Sequence, residues 1–158
     1  MKKIAGYSSL IFLPLFFCMT VFSQSANKNY DSVLAKKLGA DDYGMKQYIL
    51  VILKSGSNTT TDKTMRDSLF KGHLANIGRL ADHGDMVLAG PLGKNDNNYR
   101  GIFVLNVKTT AEAKKLLETD PAIKAKLLEP DLYEWYGSAA IGETLEIHKK
   151  IEKTSILK

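Results

Sequence analysis

The chain has 158 residues, with 22 Lys and Arg against 17 Asp and Glu, one cysteine and four prolines. That length excludes a multidomain enzyme, and 44% hydrophobic with 25% charged residues excludes wholesale disorder, a collagen-like repeat and a heptad rod.

At the N-terminus, Lys2 and Lys3 precede an apolar run from Leu10 to Phe22 that is broken only by Pro14, Cys18 and Thr20. The run is shorter than the roughly 20 residues a spanning helix needs, and the polar stretch from Ser23 ends it. Residues 1–23 therefore read as a secretory signal peptide, with Val21 and Ser23 before the cut and cleavage after Ala26 as a second choice. The expected destination is the periplasm or the extracellular space, with no membrane attachment after cleavage. Phe17 directly before Cys18 fits a lipoprotein signal poorly. Cleavage leaves about 135 residues, and loss of Lys2 and Lys3 lowers the net charge from +5 to +3. It also removes the sole cysteine, so neither a disulfide framework nor thiol chemistry is expected. Stability then rests on the core, or on a core completed by a dimer interface.

Residues 24–45 form a polar extension in which Asp31 to Leu38 can make two helical turns. Gln47 to Lys54 (QYILVILK) is a nearly continuous apolar stretch, which at this length reads as a buried strand. After the loop Ser55 to Thr61, Asp62 or Thr64 can cap a helix that runs to about His83. Met65, Leu69, Phe70, Leu74, Ile77, Leu80 and Ala81 recur at three- and four-residue steps along it, and Gly84 ends it. Met86 to Ala89 and Gly101 to Val107 read as two strands of a hairpin, joined through Gly90-Pro91 and the Gly- and Asn-rich turn 93–98. Thr109 or Thr110 caps a helix to Leu117. Asp120-Pro121 starts a further helical turn, since Pro suits the first helical position and Asp the one before it. Leu127 to Tyr136 reads as the last strand, and the tail 139–158 fits either a short strand or a helix.

The order strand, helix, strand, strand, helix, strand is the α+β, ferredoxin-like βαββαβ plan: a four-stranded antiparallel sheet with both helices on one face. QYILVILK and GIFVLNV carry apolar residues on both parities, so both sheet faces expect cover. A homodimer packing two sheets face to face supplies it.

Little in the chain suggests a metal, a cofactor or a nucleic acid. The three histidines, His73, His83 and His148, have no second His at ligand spacing, and no phosphate loop, nucleophile elbow or dinucleotide fingerprint occurs. The net charge is spread along the chain without interleaved aromatics, and the lysines of the tail read as a solvated face. His83 at a helix C-terminus and His148 in the polar tail fit exposed structural roles. His73 differs, because Leu69, Phe70 and Ile77 at helical spacing put its ring on the apolar face, toward the sheet. Two readings stay open for it: a core histidine satisfied by a carbonyl or carboxylate, or a base oriented by a carboxylate. Asp120 likewise is either a helix cap or a functional carboxylate.

His73 with Leu80, Gly84, Gly90-Pro91, Gly101, Thr110-Ala111-Glu112-Ala113, Asp120-Pro121-Ala122 and Trp135 resembles the YCII-related domain family of the dimeric α+β barrel superfamily. The likeness covers Lys46 to Ser138, and the flanking GADDYGM and EWYGSAA resemble an exported bacterial branch. The resemblance implies a homodimer and a pocket in which His73 faces Asp120. One relative is associated with removing chloride from a chlorinated hydroquinone, and the superfamily includes isomerases and cofactor-free monooxygenases. Tyr133-Glu134 ahead of Trp135 departs from the family's pattern at the pocket rim. The expected function is thus cofactor-free, lyase- or isomerase-like acid/base chemistry by His73, oriented by Asp120, on a small organic ligand. Gly90, Pro91, Trp135 and Tyr136 are the expected lining. The alternative is a non-catalytic ligand-binding or dimeric interaction module.

Overall fold

The computed structural model describes residues 27–156, so the expected signal peptide, Cys18 and both candidate cleavage points lie outside the described residues. Of the first unit, Met1–Tyr30, only a short turn is described, closed by Tyr30 N donating to the Asn27 carbonyl. The second unit begins at Asp31. There, α1 (Ser32–Leu38) starts where the Asp31 carboxylate accepts from the backbone N–H groups of Val33 and Leu34, and ends at Gly39 in the left-handed region (φ 69°).

Strand β1 (Met45–Ser55) leads through a loop to α2 (Lys63–Asp82), which is capped by Asp62. Strands β2 (Met86–Pro91) and β3 (Tyr99–Leu105) form the hairpin. Asn95 builds its turn: the side-chain amide donates to the carbonyls of Gly93 and Tyr99, and its oxygen accepts from the N–H groups of Asn97 and Tyr99. Helix α3 (Thr110–Leu117) opens on a capping box in which Thr109 and Glu112 satisfy each other's backbone N–H groups. The one-turn α4 (Pro121–Lys124) follows, capped by Asp120. Strand β4 (Leu128–Ser138) runs into a 3-10 turn (Ala139–Glu143) and α5 (Thr144–Ile151), so the ambiguous tail is helical.

The sheet is antiparallel with order β2-β3-β1-β4, the ferredoxin-like arrangement expected. Ile49, Val51 and Leu53 of β1, with Phe103 and Leu105 of β3, face the helices and pack with Leu80, Ala113, Leu117 and Ala122. The opposite face gathers Tyr48, Val87 and Val104, with Leu50, Leu88, Trp135 and Ile141 packed against them. A bulge between Met86 and Leu88 allows neighbours in β2 to serve both layers, Met86 the helix side and Val87 the other.

Two expectations about α2 and the hairpin need correction. The buried stripe of α2 is His73, Asn76 and Leu80, with Ile77 packed beside it, while Met65, Phe70 and Leu74 remain 49%, 40% and 37% exposed. The helix is rotated so that two polar side chains enter the interior, which is affordable because both find partners there. Gly90 and Pro91 do not end β2 as a turn; they are paired strand residues opposite Ile102 and Gly101.

Candidate functional site

The site is set by a close approach of two helices. Gly72 in α2 lies against Pro121, so near that a Cβ at position 72 would stand 2.8 Å from the ring's Cγ. This contact brings the next residue of α2, His73, to the residue preceding Pro121. His73 Nδ1 lies 2.7 Å from Asp120 Oδ2, with the histidine side chain 10% exposed and the aspartate fully buried. Asp120 caps α4 and also bonds the imidazole, because its two oxygens divide the work. Oδ1 accepts from the N–H groups of Ala122 (2.9 Å) and Ile123 (3.3 Å) as the cap of α4, while Oδ2 accepts from His73 and from Asn76 Nδ2 (3.3 Å).

Four donors fill the acceptor capacity of one carboxylate. Burial alone pushes the Asp120 carboxyl up, but the hydrogen bond and charge of His73 and the two backbone N–H groups outweigh it and hold the group below its ordinary value. Asp120 is therefore an anion that only accepts, and Nδ1 of His73 must be the donor. That leaves Nε2 as the ring nitrogen not committed to the carboxylate. Among the described residues it has no hydrogen-bond partner, and it is not sealed from solvent, since no buried side-chain nitrogen or oxygen is left without one.

The imidazole is held between two rings. Phe103 of β3 stacks on it (centroids 5.8 Å apart, planes at 29°) and Phe70 of α2 meets it edge-on (6.3 Å, 85°). Behind Asp120 the polar network continues: Arg79 donates to the Asn76 side-chain oxygen at 2.8 Å and to the Thr119 hydroxyl at 2.7 Å, and that hydroxyl reaches the Leu116 carbonyl at 2.6 Å. Asn76 therefore has its oxygen engaged by a cation and its amide turned to Asp120, which orients the carboxylate from behind. Gly72, Asn76, Arg79 and Thr119 were not singled out from the sequence. The Gly beside His73 and the Pro beside Asp120 were the one available signal.

The expected lining residues are placed elsewhere. Trp135 lies on the opposite face of the sheet, where its ring meets Tyr48 (5.9 Å) and covers Gly137 so closely that a Cβ there would come within 2.5 Å of the indole. Tyr136 pairs with Gln47 near the far end of β4, and its hydroxyl is bonded to Asp41. That bond raises the phenol to about 12 and lowers the carboxyl. A Cβ at Gly90 would meet nothing within 4 Å, so no close backbone approach requires a glycine there; the tight position is Gly101, whose Cβ would lie 2.9 Å from the Gly90 carbonyl. Neither Gly90 nor Pro91 lines the groove of about 450 Å³ that begins at Phe70. His83 caps the end of α2, and His148 faces Glu152 at 3.8 Å on exposed α5. Among the described residues no group of three His, Cys, Asp or Glu side chains could hold a metal, and no helix is long and apolar enough to cross a membrane.

Fold and site together define an α+β, ferredoxin-like domain with a buried, oriented His–Asp pair between its second helix and the cap of its fourth. No protein-family profile matches the chain, and no curated protein matches it. The solved structure of 5-chloro-2-hydroxyhydroquinone dehydrochlorinase (TftG) from Burkholderia phenoliruptrix AC1100, in complex with 2,5-dihydroxybenzoquinone, is similar at 20% identity and a TM-score of 0.40. The match covers 55% of this chain and 92% of that one.

Proposed function

We propose that this chain is an exported, YCII-related, cofactor-free enzyme in which His73 Nε2 acts as general acid/base on a small organic ligand with an acidic C–H or O–H. The observation that carries the reading is the asymmetry of the imidazole: Nδ1 is fixed by an ionised, fully buried carboxylate, while Nε2 has no hydrogen-bond partner among the described residues and is not fully sealed from solvent. A neutral imidazole held this way presents a lone pair at Nε2, and the carboxylate stabilises the imidazolium that forms when it takes a proton. The sequence resemblance from His73 to Trp135 supports family membership, and the apolar run after Lys2 and Lys3 supports export. A homodimer through the second sheet face is part of the same reading, supported by the half-covered Leu50, Ile52, Leu88 and Ile102 and by Tyr133 at 49% exposure.

A second reading, a structural bond in a non-catalytic binding module, draws on a different observation: the groove reaches Phe70 but not His73. Deuterium uptake separates the two. A panel of enolisable and phenolic probes in D2O, followed by NMR, is expected to show exchange by the wild type that falls about 100- to 10,000-fold in His73→Asn, the usual contribution of a positioned base. Equal exchange by wild type and a folded His73→Asn protein refutes the enzyme reading.

A further inference from the structure

The groove beside Phe70 has a composition that the His–Asp pair does not account for. It lies between the loop after β1, the first half of α2 and the start of β3, and both Arg66 and Arg100 line it, with no acidic residue among the lining. The nearby carboxylates are engaged elsewhere: Asp67 with Lys63, Asp131 with Lys54, Glu129 with the Ser57 N–H, and Asp62 with the Met65 N–H. Neither arginine has a carboxylate partner among the described residues. Arg100 is nevertheless oriented, because its Nε donates to Ser55 Oγ at 2.7 Å, which leaves the terminal amines of the guanidinium unused. Arg66 stands four residues before Phe70, on the same side of α2.

The walls of the groove are apolar and its backbone is tied down. Phe70, Leu127 and Leu128 supply the apolar surface. The loop is anchored by Gly56 N and Asn58 N donating to the carbonyls of Leu127 and Lys126, both at 2.9 Å, and by the Asn58 side chain on the Ala125 carbonyl. Gly56 is required there, since a Cβ would fall 2.1 Å from the Lys126 oxygen. An anchored concave surface lined by an aromatic ring and by two cations that have no carboxylate partner among the described residues matches one ligand chemistry: an oxyanion attached to a flat apolar body.

We propose that this groove binds a small aromatic oxyanion, its charged group held by Arg66 and Arg100 and its ring against Phe70 and the leucines. Phe70 is also the ring that meets His73 edge-on, so the occupant lies one side chain away from the imidazole. Binding is independent of whether His73 performs chemistry. A protein that binds the anion but catalyses no exchange refutes the proposed reaction alone.

The test is titration of the 15N-labelled protein with benzoate, phenyl phosphate and benzyl alcohol, with Arg66→Gln and Arg100→Gln as variants and Lys114→Gln as a control at an exposed lysine outside the lining. Benzoate and phenyl phosphate are expected to give saturable shifts at Gly56, Thr59 and Arg100. Benzyl alcohol, lacking the charge, is expected to bind at least about fivefold more weakly, and each arginine variant to lose roughly five- to tenfold in affinity for the anions. Lys114→Gln should bind as the wild type does. The proposal is overturned if no anion gives saturable shifts, if benzyl alcohol binds as tightly as benzoate, or if the folded double arginine variant keeps wild-type affinity.

Discussion

Replacing Gly72 by alanine tests whether the helix contact is what holds the His–Asp pair. In an exposed helix interior the change is favourable by about 1 kcal/mol, because alanine loses less backbone entropy on folding. At this position the new methyl would stand 2.8 Å from Cγ and 3.3 Å from Cβ of Pro121, against about 3.5–4.0 Å for an ordinary carbon contact. The proline ring cannot swing aside as a free-ended side chain would, so α2 and α4 must part by about 1 Å. Overpacking of this kind costs about 1–3 kcal/mol. The same parting stretches the 2.7 Å bond between His73 and Asp120 toward the limit of hydrogen bonding, forfeiting part of a charged bond worth about 1.5–3 kcal/mol. Against the gain of about 1 kcal/mol, the expected net effect is a loss of about 2 kcal/mol, or roughly 5–10 °C in Tm. Differential scanning calorimetry measures the loss, and imidazole 15N shifts report whether Nδ1 still donates to the carboxylate. Gly90→Ala is the matched control, since its methyl meets nothing within 4 Å and should change stability by no more than about 0.5 kcal/mol. A Gly72→Ala protein that is more stable than wild type and keeps the Nδ1 donor signature refutes the reasoning.

Asp120→Asn should keep the cap on α4 but turn an amide toward His73. Nδ1 then becomes the acceptor, Nε2 carries the proton, and exchange activity collapses with a moderate stability loss of about 1–3 kcal/mol. Asp120→Ala, which strands His73 and Asn76 as well, should cost about 3–5 kcal/mol by urea unfolding. The folded carboxyl of Asp120 is held below its unfolded value, so its stabilisation is present above that value and is lost as pH falls through the folded one. Thermal scans between about pH 5 and 2 should therefore show a steeper decline for wild type than for Asp120→Asn. Tyr136 should titrate near 12 by ultraviolet absorbance and return toward 10 in Asp41→Asn, because the raised value comes first from the bond to that carboxylate. Tyr133→Asp places a charge on the half-covered sheet face, and sedimentation is expected to show the wild type as a dimer and the variant shifted to monomer; a monomeric wild type rules out the dimer reading.

Much of the architecture is readable in local pattern. The eight-residue apolar stretch around Val51 is too short and too β-branched for a helix, Asp120-Pro121 carries its own start signal, and the order of elements admits one familiar sheet. The phase of α2 was less legible. His73 lies in the interior as its spacing from Leu69 and Ile77 leads one to expect, but Phe70 and Leu74, which belong to the same apolar repeat, stay exposed while Asn76 is buried beside the imidazole. A hydrophobic pattern ranks positions by side-chain type and assigns no benefit to burying an amide or imidazole, which becomes affordable only when a specific partner is waiting. That partner, Asp120, is 47 residues away in the chain.

The residues of the expected rim are dispersed for a related reason. Trp135 and Tyr136 are neighbours in sequence, and in a strand neighbours face opposite sides, so at most one of them could face the same layer as His73. The pairing of β4 with β1 puts Trp135 opposite Tyr48 on the far face and carries Tyr136 to the end of the strand. By itself the sequence determined the main strands and helices from β1 to β4 and most of their caps, because these follow from side-chain period, turn chemistry and backbone capping within a few residues, and their order pointed to the sheet. The tertiary structure alone decided that Gly72 lets Pro121 approach, that the two oxygens of Asp120 divide between cap and imidazole, and that Arg66 and Arg100 share a groove. Those outcomes depend on distances between segments far apart in the chain, which only the packed structure sets.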